Sequence, residues 1–220
     1  MEHREIALIG RLIAGMTHEM KNVLTIIKTS NGLMQDIMSL SKKASLPHED
    51  KFLSALTKIQ KHVNRGVDMM TEFNRFAHIM DKEYESVEAN EFVKLVAFLN
   101  QRSAREKQVK LIAETTETEI SIVTVPVRLL LALITCVDQF LEQAMANDII
   151  ALRPVQDDGK VSFQFAVNRE PLDPIGQKSS IAGLEDMAPF LEALSGELLA
   201  LDSPGVMGFS LVLPIKRDIP

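Results

Sequence analysis

Ile6-Ala7-Leu8-Ile9-Gly10-Arg11-Leu12-Ile13-Ala14-Gly15-Met16-Thr17-His18-Glu19-Met20-Lys21-Asn22-Val23-Leu24-Thr25-Ile26-Ile27 sets the character of the first third of the chain. Ile6, Ile9, Ile13, Met16, Met20, Val23, Ile27 and Met34 advance in steps of three and four, with one polar interruption at Ser30. Such a rhythm is a heptad seam on a long helix. The same rhythm returns at Phe52, Leu56, Ile59, Val63, Met70, Phe73, Ala77 and Met80, with Gly66 at one core position. Between the two, residues 44–50 carry Pro47 and the acidic pair Glu49-Asp50, a turn followed by a helix start. Each helix would run roughly 50 Å at 1.5 Å per residue.

Two such helices make a hairpin whose seam is only half covered. A second copy covers it most simply, giving a dimeric four-helix bundle, so a homodimer is expected. The alternative is that the rest of the chain covers the seam.

From about residue 86 the periodicity changes. Helices are expected over 91–106, 126–145 and 184–194, and strands over 109–113, 120–125, 161–167, 197–201 and 209–213. Strands mixed with helices in this order suggest an α/β sandwich, one sheet with helices on one face, so the chain as a whole is α+β. The acidic stretch 81–90 reads as the linker, with domains at 1–82 and 83–220.

Bulk properties narrow the function classes. A net charge of -6 gives no basic patch for nucleic acid. The most apolar run, Val123 to Phe140, is interrupted by Pro126, Arg128 and Asp138 and is too short and too polar to span a bilayer. The N-terminus lacks the basic-then-apolar form of a signal peptide. Cys136 is the single cysteine, which rules out a disulfide within the chain and suits a reducing compartment. A cytoplasmic protein without membrane insertion is expected.

With Met16 at heptad position d and Met20 at a, His18 falls at f, farthest from the seam. Glu19 is adjacent, and Asn22 lies four residues on, one turn away on the same face. Gly15, three residues before His18, removes bulk there. An exposed histidine at f is most often a solvated surface residue, and four others occur in the chain. The grouping nevertheless suits phosphoryl transfer. A neutral imidazole is a competent nucleophile near physiological pH, a carboxylate can take its ring proton, and an amide can orient water.

The run Ile9-Gly10-Arg11-Leu12-Ile13-Ala14-Gly15-Met16-Thr17-His18-Glu19-Met20-Lys21-Asn22 resembles the phosphoacceptor helix of bacterial two-component sensor histidine kinases. That family shows Gly-x-Leu-x-Ala-Gly leading into His-Glu-x-x-Asn, commonly followed by proline, where this chain has Val23. The resemblance implies that His18 is the phosphorylated residue and Glu19 its general base. It also implies that Asn22 serves phosphatase chemistry toward a response regulator. Toward the C-terminus, Gly183-Leu184, Ser195-Gly196-Glu197-Leu198 and Ser203-Pro204-Gly205-Val206-Met207-Gly208-Phe209 resemble the last helix and closing hairpin of the family's ATPase domain.

Between the two ends the nucleotide-binding residues of that family are missing. Its magnesium-binding Asn aligns with Gln139, and its adenine-reading Asp and glycines with Asn168-Arg169-Glu170-Pro171-Leu172, which has no glycine. Of its glycine-rich phosphate lid only Gly176 and Gly183 remain, followed by Glu185 and Asp186, whose charges would repel a triphosphate. A degenerate ATPase domain is therefore expected, with no cofactor of its own. Mg-ATP enters only if the chain is an active kinase, and magnesium would otherwise sit on the partner receiver.

The resemblance then implies a phosphorelay histidine phosphotransferase that moves a phosphoryl group between His18 and response-regulator receiver domains. Gly15, Lys21, Asn22 and Thr25 would lie at the docking edge. A chain opening at Met1 with no sensor region fits that role, as does a fragment of a larger kinase. The competing expectations are an autophosphorylating kinase, a response-regulator phosphatase using Glu19 and Asn22, and a non-catalytic module that binds a receiver.

Overall fold

The computed structural model of the chain describes residues 3–40, 49–80, 83–168, 187–201 and 207–215. The chain divides into two compact units, 1–75 and 76–220.

In the first unit, α1 (His3–Leu40) and most of α2 (Glu49–Ile79) form an antiparallel helical hairpin. The turn expected between them lies outside the described residues as far as 48. The α1 seam buries Leu12, Met16, Val23 and Ile37, each less than a tenth exposed. Gly66 of α2 sits opposite Val23, where an added Cβ would stand 3.4 Å from Val23 Cγ1. A methyl group would just reach van der Waals contact at that point, and a larger side chain would hold the helices apart.

On α2 the expected positions Phe52, Ile59, Gly66 and Phe73 are half-buried, while the expected positions between them are displaced by one residue. Ala55 and Met69 are buried, whereas Leu56, Val63 and Met70 are 42%, 41% and 52% exposed. The reason lies in the doubled apolar surface of α2. Two neighbouring stripes satisfy a three-four rhythm, and α1 packs on the one carrying the small residues Ala55 and Gly66. The other stripe stays uncovered, as do Ile6 and Ile13 of α1.

The second unit is a mixed sheet with helices packed on it. Its elements are β1 (Glu85–Glu88), α3 (Ala89–Glu106), β2 (Lys110–Ala113), β3 (Ser121–Thr124), α4 (Pro126–Gln143), β4 (Ile149–Asp157), β5 (Lys160–Asn168), α5 (Ala188–Leu194), β6 (Glu197–Ala200) and β7 (Met207–Pro214). The five-stranded sheet runs β2-β4-β5-β7-β6, with only the β2–β4 pair parallel, and β1 pairs separately with β3. Phe163 and Phe165 of β5 and Phe209 and Leu211 of β7 alternate into the core. Phe209 lies 5.0 Å from Phe140 of α4 and 5.2 Å from Phe165, ring centre to ring centre. Such aromatic contacts add to the burial of their area.

Two strands escape the sequence expectation. The stretch 81–90 is not simply linker, because Glu85–Glu88 pairs antiparallel with β3 and Glu88 then caps α3. Its carboxylate accepts from the backbone N–H of Asn90 at 3.1 Å and of Glu91 at 2.8 Å, satisfying two donors at the helix start. The nine-residue β4 was obscured by Arg153 and Pro154. Pro154 lies past Leu152, the last residue of β4 paired with β2, so the edge there needs no proline N–H.

The helix expected over 184–194 is described only as Ala188–Leu194, and residues 169–186 lie outside the described set. Among the described residues no helix is long and apolar enough to cross a membrane. Cys136 is fully buried on α4, and burial pushes its thiol far up from its usual range.

Gly208 provides a direct check of the sheet. A Cβ at this position would strike the Phe165 carbonyl oxygen on the paired strand. Gly208→Ala is expected to destabilise the second unit by roughly 1–3 kcal/mol, read as a lowered denaturation midpoint in urea.

Candidate functional site

The site is built on one stretch of α1 and reinforced from α2. No proline falls in residues 9–22, and Arg11, Leu12, Ala14, Met16, Glu19, Met20 and Lys21 are good helix formers. Leu12, Met16 and Val23 are buried, so helical geometry alone carries His18 outward, where it is exposed. Thr17 and Thr25 donate their hydroxyls to the carbonyls of Ile13 and Lys21, each at 2.8 Å, which keeps these polar groups within their own helix.

Of the three residues singled out from the sequence, the structure brings His18 and Asn22 into contact, while Glu19 finds its partner on α2. Asn22 Nδ2 stands 3.3 Å from His18 Nδ1, one turn along an exposed face. In one sense of the amide its N–H donates to a bare Nδ1. With the amide turned over, Oδ1 accepts from Nδ1–H and the lone pair is left on Nε2. Asn22 can thus select which ring nitrogen is nucleophilic. Glu19, beside His18 in sequence, is turned toward α2, where its Oε2 accepts from Arg65 Nη2 at 2.8 Å.

Arg65 is the residue that sequence reading missed. It stands 46 positions from Glu19, so no local spacing links the two, and only the hairpin brings them together. Its place next to Gly66, the residue of closest helix approach, was the one available signal.

The surroundings of His18 are sparse in bulk. Gly15 has nothing within 4 Å of where a Cβ would stand, so the hairpin itself does not require glycine there. Asn22, Ile26, Thr29 and Leu33 recur at helical spacing on the flank of His18, with Ile26 36% and Leu33 50% exposed. An apolar groove of about 440 Å³ opens between α1 and α2, lined by Met16, Met20, Leu24, Met69, Met70 and Phe73, and its rim includes Thr17, Lys21 and Thr25.

In the second unit the nucleotide positions are described only in part. Asp138 and Gln139 are half-buried on α4, and Asn168 closes β5. The remaining expected positions, Arg169 to Leu172, Gly176, Gly183, Glu185 and Asp186, lie outside the described residues.

No protein-family profile matches the chain. Among characterised proteins it is 26% identical over 160 residues to the signal transduction histidine-protein kinase AtoS of Escherichia coli K12, a match covering 72% of this chain and 23% of that protein. The matched region therefore spans about a quarter of the length of that relative. Among solved structures, the histidine kinase ThkA in complex with the response regulator protein TrrA superposes with a TM-score of 0.50 at 17% identity, over 97% of this chain and 64% of that one. The histidine kinase AdeS of Acinetobacter baumannii gives 0.49 at 14% identity, over 91% of this chain and 98% of that one.

Proposed function

We propose that this chain, a two-component sensor histidine kinase core by sequence kinship and fold, is a phosphorelay histidine phosphotransferase that accepts and donates a phosphoryl group at His18. Its partners are response-regulator receiver domains. Residues 1–82 act as the dimerisation and phosphoacceptor domain and 83–220 as a degenerate ATPase-like domain. It works in the cytoplasm as a homodimer.

The observation that carries this proposal is the Asn22 amide at 3.3 Å from an exposed His18 imidazole. Transfer needs a neutral imidazole of defined tautomer and open space in line with it. With Nδ1–H donated to Asn22 Oδ1, the Nε2 lone pair attacks the phosphorus of a partner's aspartyl phosphate. The P–O bond breaks, and the aspartyl carboxylate leaves with the electron pair. Donation to a second receiver is the same step reversed.

Magnesium for this step belongs to the receiver. ThkA, whose fold the chain shares, was solved with a response regulator bound, which supports a receiver as the partner here. The flank bearing Ile26 and Leu33 offers apolar contacts to a docking receiver below His18. The uncovered stripe of Leu56, Val63 and Met70 is continuous with the groove at Met69 and Met70, which supports a second copy as its cover.

The kinship with AtoS favours one second reading, an active kinase that loads His18 from Mg-ATP. Gln139 where the family has its magnesium-binding Asn, and the lack of glycine over 168–172, argue against it.

Three outcomes test these statements. With receiver domains of the source organism charged by acetyl phosphate, the chain is expected to gain acid-labile phosphate, and His18→Ala to gain none while remaining dimeric. Label persisting in that variant, or no label from any receiver, overturns the proposal. Calorimetric titration with millimolar Mg-ATP is expected to show no binding. Binding at tens of micromolar, about −6 kcal/mol or better, would make the chain a kinase. The double variant Val63→Glu/Met70→Glu is expected to sediment as a monomer with unchanged helix content, and a dimer that survived it would place the interface elsewhere.

A further inference from the structure

The Glu19 carboxylate is held from across the hairpin. The Arg65 guanidinium meets Oε2 at 2.8 Å, with the glutamate side chain 16% exposed and that of the arginine 43%. An ion pair so open to water on the arginine side adds little to stability. Its effect lies in geometry. Guanidinium is planar, permanently charged and directional, so it fixes the orientation of a carboxylate as well as its position. The pair also sits at the level of the hairpin where Gly66 meets Val23, so its reach is set by backbone approach rather than by a mobile loop.

Position along α1 gives this pair its meaning. Glu19 adjoins His18, and the ring's Nδ1 is met by Asn22. As the bond from Nε2 to phosphorus forms, positive charge develops on the imidazole. A carboxylate on the adjoining residue, already held by an ion pair, can meet that charge with little reorganisation.

We propose that Arg65 is a positioning residue for phosphoryl transfer at His18, acting from α2 by fixing the Glu19 carboxylate beside the imidazole. The role rests on the phosphotransferase reading above and deepens it. Arg65 takes part in no bond change and exchanges no proton. Its contribution passes wholly through Glu19.

That dependence sets the experiment. Transfer from an acetyl-phosphate-charged receiver is timed at saturating receiver for the wild type, Arg65→Ala, Arg65→Lys, Glu19→Gln and the double variant Arg65→Ala/Glu19→Gln. Arg65→Ala is expected to slow transfer about tenfold, with the receiver concentration at half-saturation unchanged. Arg65→Lys should recover most of that loss. The double variant should be no slower than Glu19→Gln alone, because residues acting as one unit are non-additive.

Additive slowing in the double variant would mean that Arg65 acts independently of Glu19 and would overturn the proposal, as would an Arg65→Ala rate equal to wild type. A purely structural role would lower the melting temperature of Arg65→Ala and slow transfer in that variant only in proportion to the unfolded fraction, which also overturns it. A wild-type chain that takes no phosphate from any receiver would instead remove the phosphotransferase reading, and this role with it.

Discussion

The contact of α1 with α2 at Val23 and Gly66 is the constraint on which the site depends. Where α2 has glycine, a Cβ would already stand 3.4 Å from Val23 Cγ1, so any side chain larger than a methyl would part the helices. From there the rest is geometry. The seam side chains go inward, residues half a turn away go outward, and His18 is among the latter. At the same level Arg65 comes within reach of Glu19. Nothing about the imidazole itself selects its exposure, which follows from what its neighbours three and four residues away must bury.

Much of this was legible in the sequence because helices announce themselves by period. The heptad phase of α1 gave both the helix and the outward placing of His18, and the triad of His18, Glu19 and Asn22 falls within a single turn and a half. The phase of α2 was harder. Its two apolar stripes fit the same spacing, and the choice between Leu56, Val63 and Met70 on one side and Ala55 and Met69 on the other depends on which lets α1 come nearer. That is a property of the pair of helices and cannot be read along one of them.

The omissions have similar physical causes. Glu85–Glu88 is charged and short, so its strand character comes from pairing with Ser121–Thr124 rather than from its own composition. Ile149–Asp157 contains a proline that is tolerated only because β2 has already ended beside it. Arg65 acquires its place from a partner 46 residues away. In each case a long-range neighbour supplies what local pattern lacks, which is the general limit on reading structure from order along the chain.

The helix α4 separates two kinds of inheritance. Six consecutive residues, Leu129 to Ile134, have 1% exposure or less, and Cys136 and Val137 extend that block into the layer formed with the sheet. Thr135, Asp138 and Gln139 are only half-buried on the same helix. Packing is therefore carried by one set of side chains, while another set on the same helix stays partly open to solvent. A lineage can exchange the second set residue by residue, and abandon a bound small molecule entirely, while every generation still folds around the first.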